Sequence, residues 1–108
     1  MKRLKNLEDT KKDLLELQRY VSLVENYQVT TLEKRIIQLY ACTSSISKTL
    51  EEVNIHLANE NRSLVNQQYI IQVIKSYPSD ELHSLVRNSY LLKTRNSRRK
   101  YTNNVSFR

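Results

Sequence analysis

The chain has 108 residues, a net charge of +7, no glycine, one proline and one cysteine. That length allows one domain at most and leaves no room for a substrate cleft between domains; without glycine, phosphate loops and tight hairpins lose their usual material, and the apolar residues recur at helical spacing, so all-β and dinucleotide-binding folds are set aside. The lone Cys42 excludes an internal disulfide framework and a zinc ribbon, and points to a reducing compartment.

No stretch is apolar enough for a bilayer span, and the N-terminus mixes charges instead of preceding an apolar core. The expectation is a soluble intracellular protein, cytoplasmic or nuclear/nucleoid, with no membrane contact.

In chain order, Asn6 is placed to cap a first helix. Its apolar stripe runs through Leu7, Leu14, Leu17, Val21 and Val24, with Thr10 filling the remaining place in the register, and ends near Tyr27. Continuing those heptads would demand apolar residues at Gln28, Thr31 and Arg35, so the register breaks between Asn26 and Thr31. Thr30 with Glu33 supplies a capping box for a new start.

From there a heptad ladder runs through Leu32, Ile36, Leu39, Thr43, Ile46, Leu50, Val53, Leu57, Glu60, Leu64, Gln67, Ile71 and Ile74, and ten of these thirteen positions are apolar. Such a seam calls for cover by other helices. With leucine at a and β-branched residues at d, assemblies of three or four helices are favoured, whereas the inverse labelling favours a dimer. The polar run Asn59 to Ser63 is a candidate turn, as is Thr43 to Ser45, although the ladder also fits straight helix through both. A straight helix would favour a coiled coil, and sharp turns a compact DNA-binding bundle.

Helix resumes through Leu64, Ile70, Ile71, Val73 and Ile74 to Tyr77, and Pro78 stops it. Ser79 is then placed to cap a last helix with Asp80 and Glu81 in its first turn and Leu82, Leu85 and Val86 inside. No acidic residue follows Glu81, and residues 94–108 read as a flexible basic tail behind a helical domain at 1–93. The predicted fold is all-α, a helical bundle or coiled coil of about four helices.

The sites are set by that layout. The ladder residues Leu32, Ile36, Leu39, Ile46, Leu50, Val53, Leu57, Leu64, Ile71 and Ile74 form the expected interface with partner helices, in a homo- or hetero-oligomer. In the tail, Arg95, Arg98, Arg99 and Lys100 interleave with Tyr101 and Phe107, a combination that neutralises phosphates and stacks on unpaired bases. His56 and His83 lack partners at metal-ligand spacing and read as surface or boundary residues, Cys42 as a small buried hydrophobe, and the seven tyrosines as rims of an interface. No metal, cofactor, small-molecule substrate or catalytic constellation is expected.

Two resemblances refine this. Ser45, Ile46, Ser47, Lys48, Thr49, Leu50, Glu51, Glu52, Val53 and Asn54, followed after a gap by Tyr69 to Ile74, resemble the long-turn helix-turn-helix at the DNA-binding end of serine recombinases and in some phage regulators. Leu50 and Asn54 stand where that family has a small residue and a glycine. The resemblance implies a DNA-binding regulator, with the motif spanning about residues 31–76 and dimerised through the first helix. Gln67, Gln68, Tyr69 and Gln72 would face base edges, and Arg62 and Lys75 phosphates. Separately, Lys12, Asp13, Leu14, Leu17, Gln18, Arg19, Ser22 and Leu23 are similar to small coiled-coil subunits of the fungal outer-kinetochore ring, which implies a subunit of a helical assembly. The main expectation is a non-enzymatic interaction subunit that assembles through its seams while its tail meets a polyanion. DNA-binding regulation is the alternative.

Overall fold

A computed structural model describes residues 5–97, which are all-helical: α1 (Leu7–Glu25), α2 (Leu32–Thr43), α3 (Ile46–Asn59), α4 (Gln67–Lys75) and α5 (Glu81–Lys93), with one more helical turn at 95–97. The expected division into about four helices is thus exceeded, because the ladder breaks at Ser44 as well as after Asn59. The turn at 95–97 also shortens the tail expected from residue 94; the remainder of that tail lies outside the described residues.

The break at Ser44 is a left-handed residue, φ 51°, whose amide donates to the Tyr40 carbonyl and ends α2. Ser45 then caps α3 by accepting from the Lys48 amide at 3.2 Å. The corner is tied by the Thr43 hydroxyl, which accepts from the Ser45 amide and meets the Thr49 hydroxyl at 3.1 Å. Lys93 reaches across from α5 to donate to the Ser44 carbonyl at 2.6 Å. Thr49 is fully buried, so the small residue at the close approach of α2 and α3 is Thr49 and not its neighbour Leu50, which is half-buried.

The α2–α3 pair presents Ile36, Ile37, Tyr40, Val53 and Leu57, and α4 and α5 cover them with Ile70, Val73, Ile74, Leu82, Val86 and Tyr90. Tyr40 and Tyr90 meet edge to face at 6.1 Å inside this core, instead of rimming an interface. His83 is buried as well, contrary to the surface or boundary position expected. Its Nδ1 accepts from the Ser79 amide, so its Nε2–H points at the Val73 and Ile74 carbonyls (3.1 and 3.2 Å), closing the C-terminal end of α4. Cys42 is exposed, not buried.

Two caps fall one residue later than expected. Thr31, not Thr30, accepts from the Lys34 amide at 3.1 Å, and Asp80, not Ser79, accepts from the His83 amide at 2.9 Å. Asp80 is chosen because it serves three elements at once: Tyr27, at the end of α1, donates to it at 2.6 Å, and Lys34 of α2 at 3.0 Å. Burial alone would raise the Asp80 pKa, but the bonds from Tyr27, the His83 amide and Lys34 outweigh it and hold the carboxyl below its ordinary value. Burial, followed by the bond to Asp80, pushes the Tyr27 hydroxyl pKa up.

α1 stands apart. None of its residues is buried; it joins the body through half-buried Tyr20, Leu23 and Val24, through Gln38 donating to the Val24 carbonyl at 3.2 Å, and through an Arg19–Glu81 ion pair at 2.7 Å.

Replacing Ser44 by glycine removes a left-handed strain of about 1 kcal/mol, partly offset by the freer unfolded chain, so Ser44→Gly should raise stability by about 0.5 kcal/mol in denaturant melts. Because the folded-state pKa of Asp80 is depressed, its stabilisation is complete above the unfolded carboxylate pKa and is lost as pH falls through the folded value. Asp80→Asn should therefore cost about 0.5–2 kcal/mol at neutral pH and flatten the acid limb of a stability-against-pH curve.

Candidate nucleic-acid interface

Three of the residues expected to contact nucleic acid, Gln68, Gln72 and Lys75, lie on α4, and the turn before it decides how that helix sits. Residues 60–66 form this turn, with Asn61 left-handed at φ 56° and the Arg62 amide closing on the Leu57 carbonyl at 2.9 Å. Asn54, one turn before the end of α3, reaches across to grip the far side: its side-chain oxygen accepts from the Val65 amide at 2.9 Å and its nitrogen donates to the Val65 carbonyl at 3.0 Å. That two-point bond holds the chain immediately before Asn66, which caps α4 by accepting from the Tyr69 amide at 2.9 Å. Where the resembling family has glycine, this chain uses an amide that staples its own long turn.

Ile70, Val73 and Ile74 anchor α4 in the core, which rotates Gln67, Gln68, Gln72 and Lys75 outward. Gln68, Gln72 and Lys75 are spaced four and three apart, so they share one face and span about 10 Å, roughly three base steps of 3.4 Å. None of the three side chains bonds to another described residue, and α4 carries no carboxylate. Among the five helices, only α3 and α4 lack an acidic residue in the first turn, so their positive ends are not neutralised locally. Lys48 is exposed in the first turn of α3.

The remaining expected residues are distributed unevenly. Tyr69 is turned from the exposed face toward α2, donating to Glu33 at 2.8 Å. The Glu33 pKa is lowered by a backbone hydrogen bond of its own and then by Tyr69. Arg62 is exposed but pairs with Glu60 at 3.4 Å, so part of its charge is answered within the turn. Arg95 is exposed beyond α5, while Arg98, Arg99 and Lys100 lie outside the described residues. Arg87 was not singled out by spacing: its Nε donates to the Lys75 carbonyl at 3.0 Å, bringing a second cation to the C-terminal end of α4. Twelve residues and Pro78 separate the two in sequence, and no periodic signal links them.

The ladder residues expected to meet a partner helix mostly meet this chain's own helices. Ile36, Val53, Leu57 and Ile74 are fully buried in the core; Leu32, Leu39, Ile46, Leu50 and Ile71 are half-buried against it; Leu64 alone is largely exposed, in the turn. Apolar surface is left open on α1, where Leu7, Leu14, Leu15, Leu17 and Val21 are each more than half exposed, and at Ile55, Tyr77 and Leu92.

No group of three His, Cys, Asp or Glu side chains among the described residues could hold a metal, and no helix there is long and apolar enough to cross a membrane. Comparison with protein-family models, curated proteins and solved structures returned no match.

Asn54→Ala leaves the Val65 amide and carbonyl unanswered in a partly buried turn, and should cost about 1–3 kcal/mol in thermal or denaturant unfolding. Amide exchange should accelerate first at Val65 to Tyr69, ahead of the α2 and α5 core.

Proposed function

We propose that this chain is a non-enzymatic DNA-binding regulator that lays α4 in the major groove of duplex DNA. The observation that carries the reading is the outward face of α4, Gln68, Gln72 and Lys75. These are side chains with free hydrogen-bonding capacity, on a helix anchored from behind by three buried aliphatics and free of carboxylates. Glutamine offers the paired donor and acceptor that match an adenine edge, and lysine meets a guanine edge or a phosphate. Lys75 with Arg87 at one end of α4, and Arg62 in the turn before it, supply cations for the backbone. The sharp turns at Ser44 and at residues 60–66 support this reading over a continuous coiled coil, since they fold the ladder into the compact arrangement that a helix-turn-helix requires.

The second reading, a subunit that assembles through helix seams, is favoured by α1, whose leucines remain open. Its basic tail would add contacts to any polyanion, DNA included.

Titration of labelled duplex at increasing salt tests the proposal. Affinity should fall linearly on a log–log plot, and Lys75→Ala should weaken all sequences alike and reduce the slope by about one. Gln68→Ala and Gln72→Ala should cost about 1–3 kcal/mol each on the preferred sequence and little on random duplex. Duplex binding that is absent, or that is indifferent to both salt and the α4 variants, would refute the reading.

A further inference from the structure

We infer that the polar cleft between the start of α2 and the end of α3 is a phosphate-binding site, with Arg35 as the residue that chiefly holds the phosphate and Arg62 as the second cation.

The cleft has a volume of about 360 Å³, and Thr30, Arg35, His56, Glu60 and Arg62 are among its lining. At roughly 30 Å³ for each water displaced, that space takes a phosphate group together with part of whatever carries it.

Arg35 is the unexplained group. By spacing alone it only interrupts the first apolar stripe. In the fold it is half-buried on α2, and among the described residues its guanidinium makes no hydrogen bond and no ion pair. Arg19 and Arg62 each bond a carboxylate and Arg87 bonds a carbonyl, although Arg62 is more exposed than Arg35. Glu52 lines a neighbouring cleft that Arg35 also borders, yet the two are not paired. A guanidinium partly withdrawn from water normally finds an acceptor, and here none of the chain's own serves.

The lining sets two guanidinium groups against one carboxylate, that of Glu60, so cation is left over. Glu60 is loosely held: it lies 3.4 Å from Arg62 and 3.4 Å from His56, longer than the about 2.7–2.9 Å of a well-made charge-assisted bond. Exposed pairs of this kind contribute little, so a more highly charged anion displaces the carboxylate at small cost. The donors come from separate segments: Arg35 from α2, Arg62 from the turn after α3, and the Thr30 hydroxyl, which has no partner among the described residues, from the chain before α2. A planar carboxylate is answered by one guanidinium fork, whereas donors arriving from several directions suit the tetrahedral oxygens of phosphate. The phosphate belongs either to a duplex backbone or to a free ester, and the site does not depend on what α4 contacts.

Titration of the full chain with inorganic phosphate, followed by amide chemical shifts, tests the site. Thr30, Thr31 and Arg62 should shift saturably with phosphate and not with sodium chloride at equal ionic strength. Arg35→Gln should abolish the response, and Arg35→Lys, which keeps the charge but not the fork, should retain part of it. Glu60→Gln should tighten phosphate binding about fivefold, the effect of removing one like charge near 4 Å in water, and keeps the test readable if Arg35→Gln unfolds. Glu51→Gln makes the same charge change about 13 Å along α3, beyond the roughly 8 Å screening length at physiological salt, and should leave the affinity unchanged. Labelled duplex then identifies the source. A backbone phosphate is the occupant if Arg35→Gln lowers the salt slope of duplex binding by about one. A free phosphate ester is the occupant if duplex binding is absent or ignores Arg35→Gln while the phosphate shifts persist, and the α4 reading is then judged by its own variants. Shifts that do not saturate, that chloride reproduces, that survive Arg35→Gln, or that Glu60→Gln weakens would each overturn the proposal.

Discussion

A backbone reversal at Ser44 determines what the heptad pattern does in this molecule. The same thirteen positions describe either one long helix with an outward seam or successive helices with inward faces. The choice rests on whether the chain turns between Thr43 and Ile46. It turns because Ser44 accepts a left-handed conformation, Ser45 caps α3, and Thr43 ties both to Thr49. With Thr49 small and buried at the corner, α2 and α3 close on each other, and their facing aliphatics become a platform for α4 and α5. A larger residue at Thr49 would hold the two helices apart and loosen the packing of the core they share.

Much of this was legible from local signals. Asn6, the break between Asn26 and Thr31, Pro78 and the end near Lys93 each marked a boundary close to where it lies. The errors share a cause. At Thr30 and Thr31, and again at Ser79 and Asp80, adjacent residues are both competent caps, and local chemistry cannot separate them. Tertiary bonds do so: Asp80 wins because Tyr27 and Lys34 converge on it from elsewhere in the chain. The turn at Ser44 was a candidate that the sequence left open against straight helix, since a left-handed serine lacks the glycine signature by which such positions are recognised. His83 and Arg87 gain their meaning from carbonyls nine to twelve residues upstream, across a proline, where periodicity carries no information.

The candidate site was legible to a similar depth. Gln68, Gln72 and Lys75 fall on one helical face by spacing alone, and packing leaves that face open. Tyr69 belonged to the same stretch but lies one residue round the helix, far enough to be drawn into a bond with Glu33. Asn54 read as a departure from a glycine pattern; in the fold it lies inside α3, and its amide holds Val65 by two hydrogen bonds just before α4 begins, while the left-handed residue of the turn is Asn61.

The distribution of carboxylates gives the molecule two surfaces of opposite chemistry. Several acidic side chains on the body are engaged, Glu33 by Tyr69, Asp80 by Tyr27 and Lys34, Glu60 by Arg62, and Glu81 by Arg19, while Glu51 and Glu52 of α3 are exposed and α4 carries no carboxylate of its own. α1 carries the opposite arrangement, an acidic helix with an open apolar stripe and few ties to the core. Neither surface contributes to holding α2, α3, α4 and α5 together. An unpaired glutamine on an exposed face adds nothing to stability beyond helix propensity, and an exposed leucine stripe leaves apolar area in water that folding has not removed. Groups that leave folding energy unclaimed in this way differ in chemistry between two elements: hydrogen-bonding and cationic side chains on α4, apolar and acidic ones on α1.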